Sequence, residues 1–309
     1  KYILGLNYGE FNSSACLLKD GDIKIAIQEE RLSREKFTKK FPILSIKKIF
    51  EEEKLKLSDI SYVTVGWDPS KHMVKYNPLI SSFRSLREYN LYTLSDNLLN
   101  LNNKRDLGTY TKVEHDQKNF PKIYHVNHHL SHAANGFFLS NFKSASILTC
   151  DFRGEYESTT FNFGDNNKIN KIESHNLPNS LGKLYATFTE LLGYKSDNDE
   201  WKIMAMSGYG YDCKDEIKKI RKCFNISQNG KFELVSKYFE NSDLGSSSHH
   251  YSNQLLDLFN INEVTYNSQP SKKQIKIAKA LQICSEEIAL HFLNHLYKLT
   301  KNKNLVVSG

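Results

Sequence analysis

The sequence lacks the features that mark disulfide-stapled, zinc-ribbon and membrane proteins. Its five cysteines are odd in number and none is spaced as a CxxC pair, which argues against a disulfide framework and a cysteine zinc ribbon. No apolar run approaches the roughly 20 residues of a membrane-spanning helix, and the N-terminal residues are typical of a strand rather than a signal peptide. We therefore expect free thiols, no membrane partner and a cytoplasmic location.

The charge balance is moderately basic. Forty-two Lys and Arg residues against 35 Asp and Glu give a formal net charge of +7, which favours anionic ligands such as nucleotides, phosphates or nucleic acid. The alternative is that lysine is simply used at exposed positions throughout the chain. No RNA-binding aromatic motif and no concentrated basic stripe occurs, so nucleic acid is not expected as a partner.

One order of elements occurs twice in the hydrophobic pattern: three strands joined by short turns, then a helix. The predicted elements are 2–7, 14–18, 23–28 and 43–55 in the first series, and 145–151, 159–163, 169–174 and 181–192 in the second. This duplication predicts an α/β fold of two ribonuclease H-like lobes, as in the actin and hexokinase-like ATPases.

The two lobes are predicted at residues 1–143 and 144–309. The first carries a helical insertion at about 70–119. The second carries an insertion at about 195–270, which ends in a polar tract where His249 and His250 are expected to be solvated. A final strand at 304–309 would need a following helix to cover its apolar face. We therefore expect the second lobe to be incomplete at its C-terminus, either as a fragment of a longer protein or as a lobe awaiting a partner.

A candidate metal site lies in the segment HVNHHLSHAANGFF and the strand after it. His128 and His132 are four residues apart on a predicted helix, so both imidazoles face the same way. Asp151 ends the next strand and would complete a facial set of two histidines and one carboxylate. Such a set suits iron, zinc or manganese. His129 points elsewhere on the helix and is expected to be packed or hydrogen-bonded.

Five motifs occur in an order that resembles a known family. They are GLNYGEFNSSACLLKDGDIKIAIQEERLSREK, HHLSHAA, DFRGE, NSLGKLYATFTELLGY and DEWKIMAMSGYG. The series spans nearly the whole chain and resembles the N-terminal part of the transfer domain in the O-carbamoyltransferases, the family of nodulation protein NodU and the antibiotic-modifying carbamoyltransferases.

The resemblance implies a reaction and its cofactors. Members transfer a carbamoyl group from carbamoyl phosphate to a hydroxylated sugar or small-molecule acceptor with ATP, some of them through a carbamoyl-adenylate. They hold a divalent metal, iron where it is identified, on residues that correspond to His128, His132 and Asp151 and on an aspartate from the second half of the full-length protein. That aspartate and the C-terminal adenylate-forming domain are not in this sequence.

The resemblance also implies roles for charged residues near the motifs. Cations there would offset phosphate charge, and Gly154 would let the backbone approach an anion. By composition alone the basic segment 29–40 is a solvated loop, and Arg153 is a surface ion pair with Glu155 or Glu157. The implied catalytic residues are Lys36, Lys39 and Arg153, and the implied cofactor-binding residues are Arg31, Arg34, Gly154 and Glu155.

Two departures from the family pattern leave alternatives open. Some relatives carry a histidine in the first turn as a general base, where this chain has Phe11, and many have glycine where it has Phe152, whose ring would narrow the pocket. An inactive nucleotide-binding module or partner subunit is therefore a second hypothesis. A sugar kinase-like ATPase is a third, disfavoured because such kinases need no histidine pair. The acceptor is not encoded in any motif that we recognise.

Overall fold

The computed structural model describes residues 1–9, 12–68, 94, 98, 120–240, 249–262, 264–265 and 269–309. These residues divide into two compact units, 1–128 and 129–309. The prediction for Phe11, and all of the predicted insertion at 70–119 except Leu94 and Leu98, lie outside the described residues. The lobe boundary predicted at 143/144 stays a prediction.

The first unit is built on a five-stranded sheet in the order β3-β2-β1-β4-β5. β1 to β3 form an antiparallel meander, and β4 and β5 run parallel to β1. Asp20 and Gly21 both have positive φ between β2 and β3, which matches the twist of a two-residue hairpin turn. The elements are β1 (Tyr2–Asn7), β2 (Ser14–Lys19), β3 (Asp22–Gln28), α1 (Glu29–Ser33), α2 (Ile43–Glu52), β4 (Ile60–Val65) and β5 (Lys122–His125).

The second unit contains a four-stranded sheet in the order β11-β6-β7-β8. β6 to β8 are antiparallel and β11 is parallel to β6, which repeats the relation of β4 to β1. The strands are β6 (Ser144–Cys150), β7 (Glu157–Asp165), β8 (Lys168–Asn176), β9 (Phe224–Ile226), β10 (Phe232–Leu234) and β11 (Leu305–Ser308). The helices are α3 (His128–Phe138), α4 (Leu181–Leu191), α5 (Glu200–Met206), α6 (Lys214–Ile220), α7 (Asn253–Phe259) and α8 (Lys272–Thr300).

The predicted α/β class and the order of strands and helices are confirmed, and the element ends differ by a few residues. The helix predicted to reach residue 55 stops at Glu52, because Lys54 adopts a left-handed conformation with φ 53°. None of the helices described is both long and apolar enough to cross a membrane.

The core of the second unit forms around α8, whose buried residues recur every three or four positions. Ile277, Leu281, Cys284, Ile288 and Phe292 are at most 1% exposed, and they form one hydrophobic cluster with residues of β6, β7, α4, α5 and α6. Burial raises the pKa of the Cys284 thiol to about 12, so this thiol stays protonated at neutral pH. All five cysteines are free, as expected.

A buried histidine makes this core sensitive to acid. The ring of His175 on β8 lies 5.3 Å from the ring of Phe161 and 5.1 Å from that of Phe292. Burial first, and the neighbouring His295 second, lower the pKa of His175 from 6.5 to about 4. The folded protein therefore holds this imidazole neutral at pH values where the unfolded chain protonates it.

A His175→Gln variant is expected to depend less on pH than the wild type. Above about pH 6.5 the imidazole is neutral in both the folded and the unfolded state, so His175 has no effect on the pH dependence there. As the pH falls from 6.5 towards 4, the unfolded chain binds a proton that the folded protein does not, and the free energy of unfolding decreases. With allowance for partial exposure, this term is about 2–3 kcal/mol. Urea denaturation at pH 7 and pH 4 measures it as the difference between the two proteins. Equal losses in both would contradict the assignment.

Candidate metal centre

Helix α3 presents two histidines on one face because its other face is buried. Ala133 and Phe137 are at most 1% exposed and pack against Ala145 and Ile147 of β6. His128 and His132 both remain half-buried. The helix period thus places the apolar residues that anchor α3 and the two imidazoles on different faces of the helix.

Asp151 brings a carboxylate to the same place from the end of β6. One ligand atom from each of His128, His132 and Asp151 lies within 4.8 Å of the others, and Nε2 of His132 is 3.2 Å from Oδ2 of Asp151. Ligand atoms bound to one ion at about 2.1 Å are at most about 4.2 Å apart, so small side-chain rotations bring the set onto one cation. Two imidazoles and a carboxylate with open positions suit iron, zinc or manganese. The three residues therefore fit a divalent metal.

The ring of His128 also has an aromatic neighbour that sequence reasoning missed. The ring of Trp67, just after β4, meets it edge to face at 5.1 Å. The Trp67 carbonyl oxygen accepts a hydrogen bond from Nδ1 of His125 at 3.2 Å. This hydrogen bond ties His125, at the end of β5, to the residue whose ring contacts His128.

The turn that carries Asp151 is held by the N-terminus of α4. The hydroxyl of Ser180 lies 2.7 Å from the carbonyl oxygen of Phe152 and 3.1 Å from that of Asp151, and it accepts from the Lys183 amide at 3.0 Å. A Cβ on Gly182 would lie 2.5 Å from Cα of Phe152. The motif NSLGK contained the signals, a capping serine and a glycine in the first helical turn, but they do not say what the helix contacts.

The three candidate residues after Phe152 are Arg153, Gly154 and Glu155, and each makes a different kind of contact. The guanidinium carbon of Arg153 lies 5.4 Å from the centre of the Phe152 ring. The Gly154 amide donates to the Glu157 carbonyl oxygen at 2.6 Å, and Glu155 is 1% exposed. The catalytic role of Arg153 and the cofactor-binding roles of Gly154 and Glu155 stay predictions.

The ring of Phe152 is packed rather than open to a ligand, since it is only 7% exposed. His250 meets it edge to face at 5.6 Å, and the His250 amide donates to Oε2 of Glu190 at 2.7 Å. His249 is 53% exposed, with its Nδ1 3.1 Å from Oε1 of the same glutamate. The expectation of a solvated pair was therefore wrong for His250, which lies beside the turn.

The candidate cations of the first unit lie on the exposed segment after β3. A buried glutamate anchors this segment, since Glu29 accepts from the Leu44 and Ser45 amides at 3.0 and 2.8 Å and so caps α2. The four candidate cations are all exposed: Arg31, Arg34, Lys36 and Lys39. Their roles stay predictions.

Backbone hydrogen bonds distinguish the two lysines of this segment. The Lys39 carbonyl oxygen accepts from the Gly9 amide at 2.9 Å, and the Thr38 carbonyl oxygen accepts from the Ser13 amide at 2.9 Å. The backbone of Lys39 is therefore fixed beside the turn between β1 and β2.

Comparisons with known proteins agree with the motif order. Uncharacterized protein sll1178 of Synechocystis sp. is 28% identical over 319 residues, which cover 100% of this chain and 50% of that protein. Nodulation protein NolNO of Sinorhizobium fredii is 27% identical over 300 residues, covering 96% of this chain and 40% of that protein. The chain thus spans half or less of the length of these relatives.

A solved structure is more distantly similar. Component A of (R)-2-hydroxyglutaryl-CoA dehydratase from Acidaminococcus fermentans is 11% identical, with a TM-score of 0.38 and coverage of 99% of this chain and 91% of that one. A likeness of that size carries no functional argument. The family model described as "Carbamoyltransferase N-terminus" matches residues 2–309, which confirms the resemblance seen in the five motifs. The chain belongs to the family of carbamoyltransferase N-terminal regions.

Proposed function

We propose that this chain is part of an O-carbamoyltransferase, which moves the carbamoyl group of carbamoyl phosphate onto a hydroxyl of a sugar or small-molecule acceptor. Family membership supports carbamoyl transfer in general. The observation that carries the proposal is the convergence of His128, His132 and Asp151, which lie on the motifs HHLSHAA and DFRGE. The cytoplasm is the proposed location, and an adenylate-forming domain is the proposed partner.

We further propose that each unit belongs to a ribonuclease H-like lobe of the actin and hexokinase-like type. The strand pairing supports this assignment, because in both units three antiparallel strands are followed by one that runs parallel to the first. In ATPases of that fold the first hairpin of each lobe grips phosphate. ATP is accordingly the second proposed cofactor, with Arg31, Arg34, Gly154 and Glu155 as its candidate ligands.

The proposed metal is divalent, with iron favoured, and the two histidines and the aspartate would hold it. When bound, such an ion supplies a Lewis acid that polarises a carbonyl or phosphoryl oxygen. The chain's own task is to hold the donors in place. α3 fixes the spacing of the imidazoles, and Ser180 holds the backbone of Asp151 and Phe152.

The chain also has to balance the charge of carbamoyl phosphate. As the acceptor oxygen bonds to the carbamoyl carbon, its hydroxyl proton passes to water or to the departing phosphate, and the carbon–oxygen bond to phosphate breaks. The bonding electrons leave with the phosphate, and a nearby cation stabilises the negative charge that collects there. Lys39 is better placed for this than Lys36, because its backbone is bonded to Gly9 beside the first hairpin turn. Arg153 is the proposed second cation.

The test uses the full-length protein loaded with metal, carbon-14-labelled carbamoyl phosphate, ATP and a panel of sugar and aminoglycoside acceptors. Label should pass to an acceptor and should stop when a chelator removes the metal. Lys39→Ala should lower kcat/KM for carbamoyl phosphate by about 10- to 100-fold, the value of a charge-assisted hydrogen bond. Lys36→Ala is the matched control, with a change of about threefold or less.

Three outcomes would decide against the proposal or part of it. No consumption of carbamoyl phosphate by the metal-loaded protein would favour an inactive module or partner subunit. Phosphorylation of a sugar by ATP without carbamoyl phosphate would favour a kinase. Equal kcat/KM values for the two lysine variants would remove only the assignment of Lys39.

A further inference from the structure

His129 lies between the two candidate metal ligands of α3 but faces the sheet instead. Its side chain is buried, at 1% exposure. Its Nε2 is 3.0 Å from the carbonyl oxygen of Glu157, and its Nδ1 is 2.7 Å from Oγ1 of Thr149. Both ring nitrogens are thus hydrogen-bonded to strands of the second sheet, so the residue has a defined task apart from the ligand set.

The partners of His129 decide where its proton lies. A carbonyl oxygen can only accept, so Nε2 carries the hydrogen that points to Glu157. A neutral imidazole carries a hydrogen on only one ring nitrogen, and here that nitrogen is Nε2. Nδ1 is then an acceptor, and the Thr149 hydroxyl must donate to it.

The hydrogen bonds continue in one direction along the strands. Thr149 Oγ1 lies 2.6 Å from Thr160 Oγ1, and Asn162 Nδ2 lies 2.7 Å from Thr160 Oγ1. Since the Thr149 hydroxyl donates its hydrogen bond to His129, it accepts one from the Thr160 hydroxyl. The Thr160 hydroxyl in turn accepts from the side-chain amide of Asn162. A directed chain therefore runs from Asn162 through Thr160, Thr149 and His129 to the Glu157 carbonyl. All five residues are at most 3% exposed.

This series of hydrogen bonds joins the two elements that carry the candidate ligands. Thr149 stands two residues before Asp151 on the same strand end. Gly154, in the turn after Asp151, lies against the imidazole, since a Cβ there would be 2.7 Å from Cδ2 of His129. His129 thus fixes α3 to both sides of the turn that presents the carboxylate.

We propose that His129, whose Nε2–H donates to the Glu157 carbonyl oxygen, is a positioning residue that sets the distance from His128 and His132 to Asp151. The inference rests on the proposed metal binding but assigns His129 no ligand role. Residues that orient metal ligands typically change metal affinity by 10- to 100-fold when replaced. His129 would act in this way through backbone and hydroxyl partners.

The experiment measures proton position and metal affinity separately. Nitrogen-15 NMR of the metal-free protein, with histidine labelled, should show one Nε2–H tautomer that disappears in His129→Gln. Competition titration with Zn²⁺ should give a dissociation constant about 10- to 100-fold higher for His129→Ala. His129→Gln should recover part of that loss, because its amide can still donate to the Glu157 carbonyl.

A second buried histidine supplies the control for general loss of stability. His295 on α8 is 8% exposed, and its Nε2 lies 2.8 Å from Oε2 of Glu173. His295→Gln should leave the Zn²⁺ dissociation constant within about threefold of the wild type. Unchanged affinity in His129→Ala, an Nδ1–H tautomer, or an equal loss in His295→Gln would each overturn the positioning role alone. A wild-type protein that binds no Zn²⁺ would overturn the proposed metal centre and this role with it.

Discussion

Under the proposed function, a His132→Ala variant of the full-length protein is expected to lose the divalent metal and to transfer carbamoyl groups about a thousandfold more slowly. A Lewis-acid ion supplies several kcal/mol of charge stabilisation, and each 1.36 kcal/mol changes a rate tenfold. His128 and Asp151 alone leave a two-ligand site on this chain. Elemental analysis of the purified protein and the initial rate with labelled carbamoyl phosphate measure the two effects.

His132 is the most informative candidate ligand because it contacts Asp151 directly. It lies one helical turn from His128, and its Nε2 is 3.2 Å from Oδ2 of Asp151. The matched control is His291→Ala on α8, whose Nε2 bonds the Lys231 carbonyl oxygen at 3.2 Å, outside the candidate set. The control should keep its metal and its rate within about threefold. Stoichiometric metal together with full activity in His132→Ala would refute the ligand assignment.

The parts of this molecule that could be predicted from sequence are those encoded locally. Alternation predicted the strands of both sheets, and the four-residue spacing of His128 and His132 placed two donors on one helix face. Asp151 was found because it ends the next strand, and its closeness to His132 depends on how α3 packs on β6. A local pattern therefore sufficed to select the three candidate ligands, while their convergence depends on packing.

The supporting contacts could not be predicted, because they join residues distant in sequence. Ser180 meets the backbone of Asp151 across 29 residues, and no feature of a capping serine names its partner. His250 lies in a polar tract whose composition indicates solvation, yet its ring rests on Phe152. Such contacts follow from packing of whole elements, which a single sequence does not specify.

A Gly182→Ala variant is expected to be less stable by about 2 kcal/mol, although alanine is the better helix former. The helix preference favours alanine by at most about 1 kcal/mol. Against it, the added Cβ would lie 2.5 Å from Cα and 2.6 Å from N of Phe152, both backbone atoms that no side-chain rotation can move. Overpacking of this kind costs about 1–3 kcal/mol or more, so the steric term outweighs the helix preference. Urea denaturation measures the change.

The same variant tests whether α4 sets the position of Asp151. To relieve the contact, either α4 or the turn at 151–152 must move, and movement of the turn takes the carboxylate away from His132. Zn²⁺ affinity should therefore fall along with stability. Gly210→Ala is the matched control, since a Cβ there meets no atom within 4 Å, and it should change neither quantity appreciably. If Gly182→Ala is destabilised but binds Zn²⁺ normally, α4 moves instead of the turn, and Ser180 is not what holds the carboxylate in place.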